Sequence, residues 1–122
     1  MLNLSSIMLG SAEPKELAEF YQKVLNKKPD MKDDGWYGWQ AGGAFLTIGH
    51  HSEVSENAMD PKRIILNFET KDVKDEFSRI KDLGARVIKE PYNMSSESQD
   101  SWIATFADPD GNYFQLMTPW EE

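Results

Sequence analysis

A chain of 122 residues, 39% hydrophobic and 28% charged, has the size and balance of one folded domain, and area scaling predicts that folding buries roughly two thirds of its unfolded surface. Its formal charge of -8 opposes phosphate backbones, and its 13 basic residues are dispersed, so nucleic acid is excluded as a partner. Cysteine is absent, which removes disulfides, thiolate metal sites and cysteine nucleophiles. No apolar run approaches the roughly 20 residues that span a bilayer, and no basic leader precedes one. The expectation is a cytoplasmic protein with no membrane partner.

Residues 2–9 form a short apolar run suited to a strand. Pro14 then stands where the first turn of a helix tolerates a missing amide donor. Leu17, Phe20, Tyr21, Val24 and Leu25 recur at spacings of three and four, which predicts one apolar helical stripe ending before Pro29. Residues 36–48 are aromatic and β-branched around Gly42-Gly43, which predicts two strands joined by a tight turn. The polar segment 50–62, broken at Asp60-Pro61, reads as a connection between two halves.

The second half starts with a strand over residues 63–68, then Thr70 as a helix cap with Asp72 in the first turn. Val73, Phe77, Ile80 and Leu83 make the second stripe, and Gly84 ends it. A strand resumes at residues 86–88, and residues 102–107 and 112–118 form a hairpin around Asp108-Pro109-Asp110-Gly111. Ile7-Met8-Leu9 precedes a helix holding Glu19-Phe20, and Ile64-Ile65-Leu66 precedes one holding Glu76-Phe77. The chain therefore reads as two copies of a βαβββ unit, about 1–56 and about 57–122, each short enough to gain by packing against the other. The predicted class is α+β, a single domain of two tandem units with curled mixed sheets and helices outside.

The terminal run Phe106-Ala107-Asp108-Pro109-Asp110-Gly111-Asn112-Tyr113-Phe114-Gln115-Leu116, the helix Ala18-Glu19-Phe20-Tyr21-Gln22-Lys23-Val24-Leu25, and Asn67-Phe68-Glu69-Thr70-Lys71-Asp72-Val73 carry a family resemblance. With the repeat, they resemble the glyoxalase, bleomycin-resistance and extradiol-dioxygenase superfamily, the vicinal oxygen chelate proteins. The resemblance implies a cup formed by the two sheets and, in the enzymes, a divalent metal held by side chains pointing into it. Aligned to those members, the ligand positions fall at Ser6, near Phe45, at Ile65 and at Gln115. Neither Phe45 nor Ile65 has a lone pair to offer a metal, and Ser6 and Gln115 supply only neutral oxygens. The expected cofactor is none, and the closest branch is the metal-independent bleomycin-resistance type, which works as a homodimer.

Strand alternation with Gln115 inward sends Tyr113 and Met117 inward too, with Phe114 and Leu116 toward the helices. Pairing across the hairpin is expected to add Trp102, Ala104 and Phe106 to the Gln115 face. Ser6, Met8, Phe45 and Thr47 form the inward set of the first unit, and Ile65, Asn67 and Glu69 open the second. Trp36 or Trp39 closes one side, and Trp39 is taken as the ligand contact. Such a cup suits a small, planar organic molecule. Aromatic residues on inward strand faces are more often plain core.

Glu69 is a candidate general base if it enters the cup, though a strand end favours exposure. His50 and His51 are a candidate metal pair, although adjacent residues of a strand point apart. Asp108, Asp110 and Asn112 are explained by turn chemistry. The preferred reading is small-molecule binding rather than catalysis, with Gln115 as a neutral hydrogen-bonding group. A lyase, isomerase or dioxygenase using a divalent metal on non-standard ligands such as His50 or His51 is the alternative. A filled cup with an interaction role is the third reading.

Overall fold

The helical stripes and alternating runs resolve into two copies of one pattern. A computed structural model describes residues 2–50, 54, 60–61, 63–94 and 101–119. The elements run β1 (Ser6–Ser11), α1 (Pro14–Leu25), β2 (Met31–Asp33), β3 (Trp36–Ala41) and β4 (Ala44–His50), then β5 (Leu66–Glu69), α2 (Val73–Asp82), β6 (Arg86–Asn93), β7 (Trp102–Ala107) and β8 (Tyr113–Met117). The chain divides into two compact units, Met1–Glu56 and Asn57–Glu122. Each is βαβββ, and the fold is α+β.

The first sheet has the order β1-β4-β3-β2 and the second the order β5-β8-β7-β6. In each, the strand before the helix pairs in parallel with the last strand of the unit, and the remaining pairs are antiparallel. This mixed order follows from the helix, since a parallel pair needs a crossover connection.

In the first unit Leu17, Ala18, Tyr21 and Val24 bury one face of α1, which packs on β1, β3 and β4. Beneath it the sheet contributes Trp39, Leu46 and Ile48, all buried. In the second unit Val73, Phe77 and Ile80 bury the matching face of α2. Phe77 stacks on Phe106 at 5.1 Å and Phe106 on Phe114 at 5.4 Å, while Phe68 meets Phe114 edge-on at 6.0 Å. Each fully buried side chain of this kind contributes roughly 1.5–3 kcal/mol.

At the exit of α1, Asn26 takes a left-handed conformation, and the Lys27 amide returns a hydrogen bond to the Gln22 carbonyl. Lys27 Nζ then donates to Asp30 Oδ2 at 2.8 Å and to the Gln40 carbonyl at 3.0 Å. The same Asp30 oxygen accepts the Gln40 amide at 2.7 Å, and Trp39 Nε1 donates to the Lys27 carbonyl at 2.9 Å. The helix exit is thereby tied to β3. Lys27 foremost, then the Gln40 amide, holds the Asp30 carboxyl below its ordinary value.

Several boundaries differ from the sequence expectation, each for a pairing reason. β1 begins at Ser6 rather than residue 2, because its partner β4 begins only at Ala44, and Leu2 and Leu4 stay exposed. β5 covers Leu66–Glu69 rather than 63–68, since β8 starts at Tyr113. β2 supplies the third strand that the βαβββ pattern requires after α1, at Met31–Asp33, where the sequence expectation assigns residues to only two strands. β6 continues through Pro91 to Asn93 instead of stopping at 88, which an edge strand with register shifts tolerates. Thr70 does not cap α2: Asp72 occupies the N-cap, and the Thr70 hydroxyl accepts the Asp72 amide at 3.1 Å just before it. Leu83 lies beyond the helix and is exposed.

Candidate functional site

Each sheet has one face under its helix and one opposite, and the ladder registers decide which side chains share a face. On the second sheet Asn67 pairs with Gln115 and Gln115 with Thr105, which in turn pairs with Lys89 on β6. This polar row crosses all four strands on the face away from α2. The neighbouring row is Glu69, Met117, Ile103 and Tyr92, and the one on the other side carries Tyr113, Ala107 and Arg86. Gln115 Nε2 donates to Thr105 Oγ1 at 3.1 Å, and Thr105 is buried. Lys89 Nζ lies 5.4 Å from the Tyr92 ring centroid.

Asn67, Glu69, Tyr113, Gln115 and Met117 therefore share one face, while Trp102 and Phe106 do not join them. The register pairs Phe106 with Phe114 and Ala104 with Leu116, under α2. Phe106 is committed to the ring stack with Phe77, and Trp102 lies beneath Lys74 of α2, whose Nζ is 3.8 Å from its ring centroid. The cause is the connection between β7 and β8. Asp108 Oδ1 accepts the Asp110 and Asn112 amides at 2.9 Å each, and the Asp108 amide donates to the Asn112 carbonyl. This five-residue loop sets Ala107 opposite Tyr113, so odd positions meet odd positions. The Asp108 cluster is thus a turn device, and the site residue that sequence parity missed is Thr105.

On the first sheet Ser6 pairs with Phe45 and Phe45 with Gln40; Met8 pairs with Thr47, Thr47 with Gly38 and Gly38 with Met31. The next row is Gly10, Gly49, Trp36 and Asp33: Gly10 pairs with Gly49, Asp33 with Trp36, and the β3–β4 register sets Trp36 across from Gly49. Trp39 belongs to the other face. It pairs with Leu46, is fully buried under α1, and spends its indole N–H on the Lys27 carbonyl. Trp36 is the tryptophan that shares a face with Met8, Phe45 and Thr47. The Asp34-Gly35 pair, with φ of 43° and 84°, closes a two-residue hairpin and sets Asp33 beside Trp36; that signal locates the strand without choosing the face on which Trp36 lies.

Two glycines shape this face. A Cβ on Gly38 would stand 2.6 Å from Phe45 Cε2, and one on Gly49 would stand 2.4 Å from Trp36 Cε3. Both rings lie down on bare backbone.

The superfamily's metal positions do not fit a divalent cation here. Ser6 brings a neutral hydroxyl, its partner Phe45 brings none, Ile65 precedes β5 with an aliphatic chain, and Gln115 brings an amide. Among the described residues no three His, Asp or Glu side chains gather as ligands. His50 pairs with Ser11, on the opposite face of β4 from Phe45 and Thr47. His51 lies outside the described residues, as do Glu53, Glu56 and Lys62. Glu69, the candidate base, is exposed at the end of β5.

Paired βαβββ units, each with a helix-free face lined by polar and aromatic side chains, define the vicinal oxygen chelate class. The sequence matches the family model described as Glyoxalase-like domain over residues 6–117. The chain belongs to that glyoxalase-like family. No curated protein matches the sequence. Among solved structures, a glyoxalase-related enzyme from Fulvimarina pelagi superposes with a TM-score of 0.75 at 17% identity, covering 98% of this chain and 89% of the other. A glyoxalase/bleomycin resistance protein/dioxygenase family enzyme from Burkholderia phytofirmans PsJN gives 0.74 at 22%, covering 96% and 98%. A glyoxalase/bleomycin resistance protein from Albidiferax ferrireducens T118 gives 0.70 at 15%, covering 94% and 98%. At these identities the likeness speaks for the fold. Among the described residues no helix is long and apolar enough to cross a membrane.

Proposed function

We propose that the protein binds a small, planar organic molecule on the helix-free faces of its sheets, without a metal. The observation that carries this reading is the chemistry of those faces. Where metal-dependent relatives need imidazole and carboxylate donors, this chain has Ser6, Phe45, Ile65 and Gln115. The helix-free face of the first unit carries Met8, Phe45 and Thr47, and that of the second carries Asn67, Thr105, Tyr113, Gln115 and Met117, neutral hydrogen-bonding groups among apolar ones. An amide such as Gln115 both donates and accepts, which suits recognition of a heteroatom and supplies no acid or base.

The names of the Burkholderia and Albidiferax structures include bleomycin resistance protein, and the role proposed here is of that kind, with the ligand held rather than turned over. A homodimer in the cytoplasm completes the proposal, and sedimentation at micromolar concentration tests the dimer. Function is tested by elemental analysis of the purified protein together with a thermal-shift panel of planar aromatic compounds. The expected result is no stoichiometric metal and stabilisation by some panel members, worth about 2.7 kcal/mol at a hundredfold excess over Kd. Stoichiometric metal, or no shift across the panel, overturns the reading.

A further inference from the structure

We propose that Trp36, laid flat on Gly49 and flanked by Asp33, is a stacking platform for a planar aromatic cation; this rests on the small-molecule reading above and names its ligand class. The row Gly10, Gly49, Trp36, Asp33 holds one large side chain, and the two positions beside it on β4 and β1 have none. The indole therefore folds down across β4. The space of a Gly49 Cβ lies 2.4, 2.5 and 2.6 Å from Cε3, Cζ3 and Cδ2 of Trp36, all carbons of the benzo ring, and Gly49 is buried beneath it. Yet Trp36 itself remains 39% exposed. A ring supported from below and open above is what a second ring needs for offset stacking.

Charge selects the kind of ring. Asp33 and Trp36 are the closing pair of the Asp34-Gly35 hairpin, so their Cβ atoms stand roughly 5 Å apart on the same face. Among the described residues of β1 to β4, the register places no other charged side chain on that face. Lys32 points to the other one, where its Nζ lies 5.9 Å from the Tyr37 ring. The carboxylate beside the indole is thus not offset by its neighbour in sequence, and the chain as a whole carries -8. An aromatic face with a flanking carboxylate attracts a cation twice, through the ring quadrupole and through the charge. Met8, 42% exposed in the adjacent row, adds a polarizable edge.

The test uses three probes on one tricyclic frame: 9-aminoacridine as the cation, anthracene-9-carboxylate as the anion and 9-anthracenemethanol as the neutral ring. Titration calorimetry reads affinity in the full chain and in Asp33→Asn, Gly49→Ala and Trp36→Leu, each first checked for an intact melting transition. The cation is expected to bind about tenfold tighter than the anion. Asp33→Asn, an exposed and isosteric change, should erase most of that preference while keeping the neutral ring. Gly49→Ala should weaken all three probes, because the new methyl lifts the indole, and Trp36→Leu should remove them. If the anion binds as well as the cation and Asp33→Asn changes neither, the charge inference is overturned while small-molecule binding stands. Binding that survives Trp36→Leu overturns the platform, and failure of all three probes overturns it together with the functional reading.

Discussion

The Lys74 ammonium sits 3.8 Å from the centroid of the Trp102 ring, which marks that indole as part of the α2 side of the second sheet. Removing the cation with Lys74→Ala should cost about 0.5–1 kcal/mol in urea unfolding. Trp102→Leu should also destabilise the protein, yet leave the affinity for a planar ligand unchanged. A selective loss of ligand affinity in Trp102→Leu, with Lys74→Ala unaffected, would count against this assignment of faces.

Phe45 and Gly38 make a second testable pair. Gly38→Ala places a methyl where Phe45 Cε2 and Cζ lie at 2.6 and 2.7 Å, and overpacking of this kind costs about 1–3 kcal/mol. Combining it with Phe45→Ala removes the clash, so the double variant should lose less stability than the two single losses added together. Simple additivity in a double-mutant cycle would mean that the ring does not rest on Gly38.

Gln115→Glu restores a carboxylate at the position where metal-dependent relatives carry one. The other superfamily metal positions remain a hydroxyl at Ser6, a ring at Phe45 and an aliphatic chain at Ile65, so the variant is expected to bind no stoichiometric zinc when purified and dialysed against it. Inductively coupled plasma measurement checks this directly. Gln115→Ala should instead cost about 1 kcal/mol by stranding the buried Thr105 hydroxyl.

Asp30 sets a pH dependence. Its carboxyl is held below the ordinary value, first by the Lys27 ammonium and then by the Gln40 amide. A depressed folded pKa means that the stabilisation is fully present above the unfolded value, near about 3.9, and is lost as pH falls through the folded one. Asp30→Asn should therefore melt below the parent protein at neutral pH, and the two curves should converge in acid. Parallel melting curves from pH 7 to pH 2 would remove Asp30 from the account.

The repeat was legible because two helices with apolar spacings of three and four follow similar apolar strands, and because Asp-Pro-Asp-Gly announces a turn. Face assignment was harder. Trp36 and Trp39 are three apart on one strand and so point oppositely, and nothing local says which is under the helix; α1 decides it by taking the Trp39 N–H through Lys27. β2 has three residues, too few for alternation to register. Trp102 and Phe106 were misplaced by parity, since Asp-Pro-Asp-Gly announces a turn without giving its length, and it is the Asp108 side chain, reaching the Asn112 amide, that makes the loop five residues rather than four.

That loop acts as a selector as well as a connection. With Ala107 opposite Tyr113, β8 turns Gln115 away from α2 and sends Phe114 and Leu116 into the core. Deleting one residue between Asp108 and Asn112 would invite a slip by one, and a slip by one exchanges every side chain between the two faces of β8. The carboxylate of Asp108 thus does for the strand what a keyway does for a shaft: it admits one rotational setting. Sequence change can explore new chemistry at Gln115 and Thr105 while that single acid keeps the hydrophobic half of the strand facing the helix.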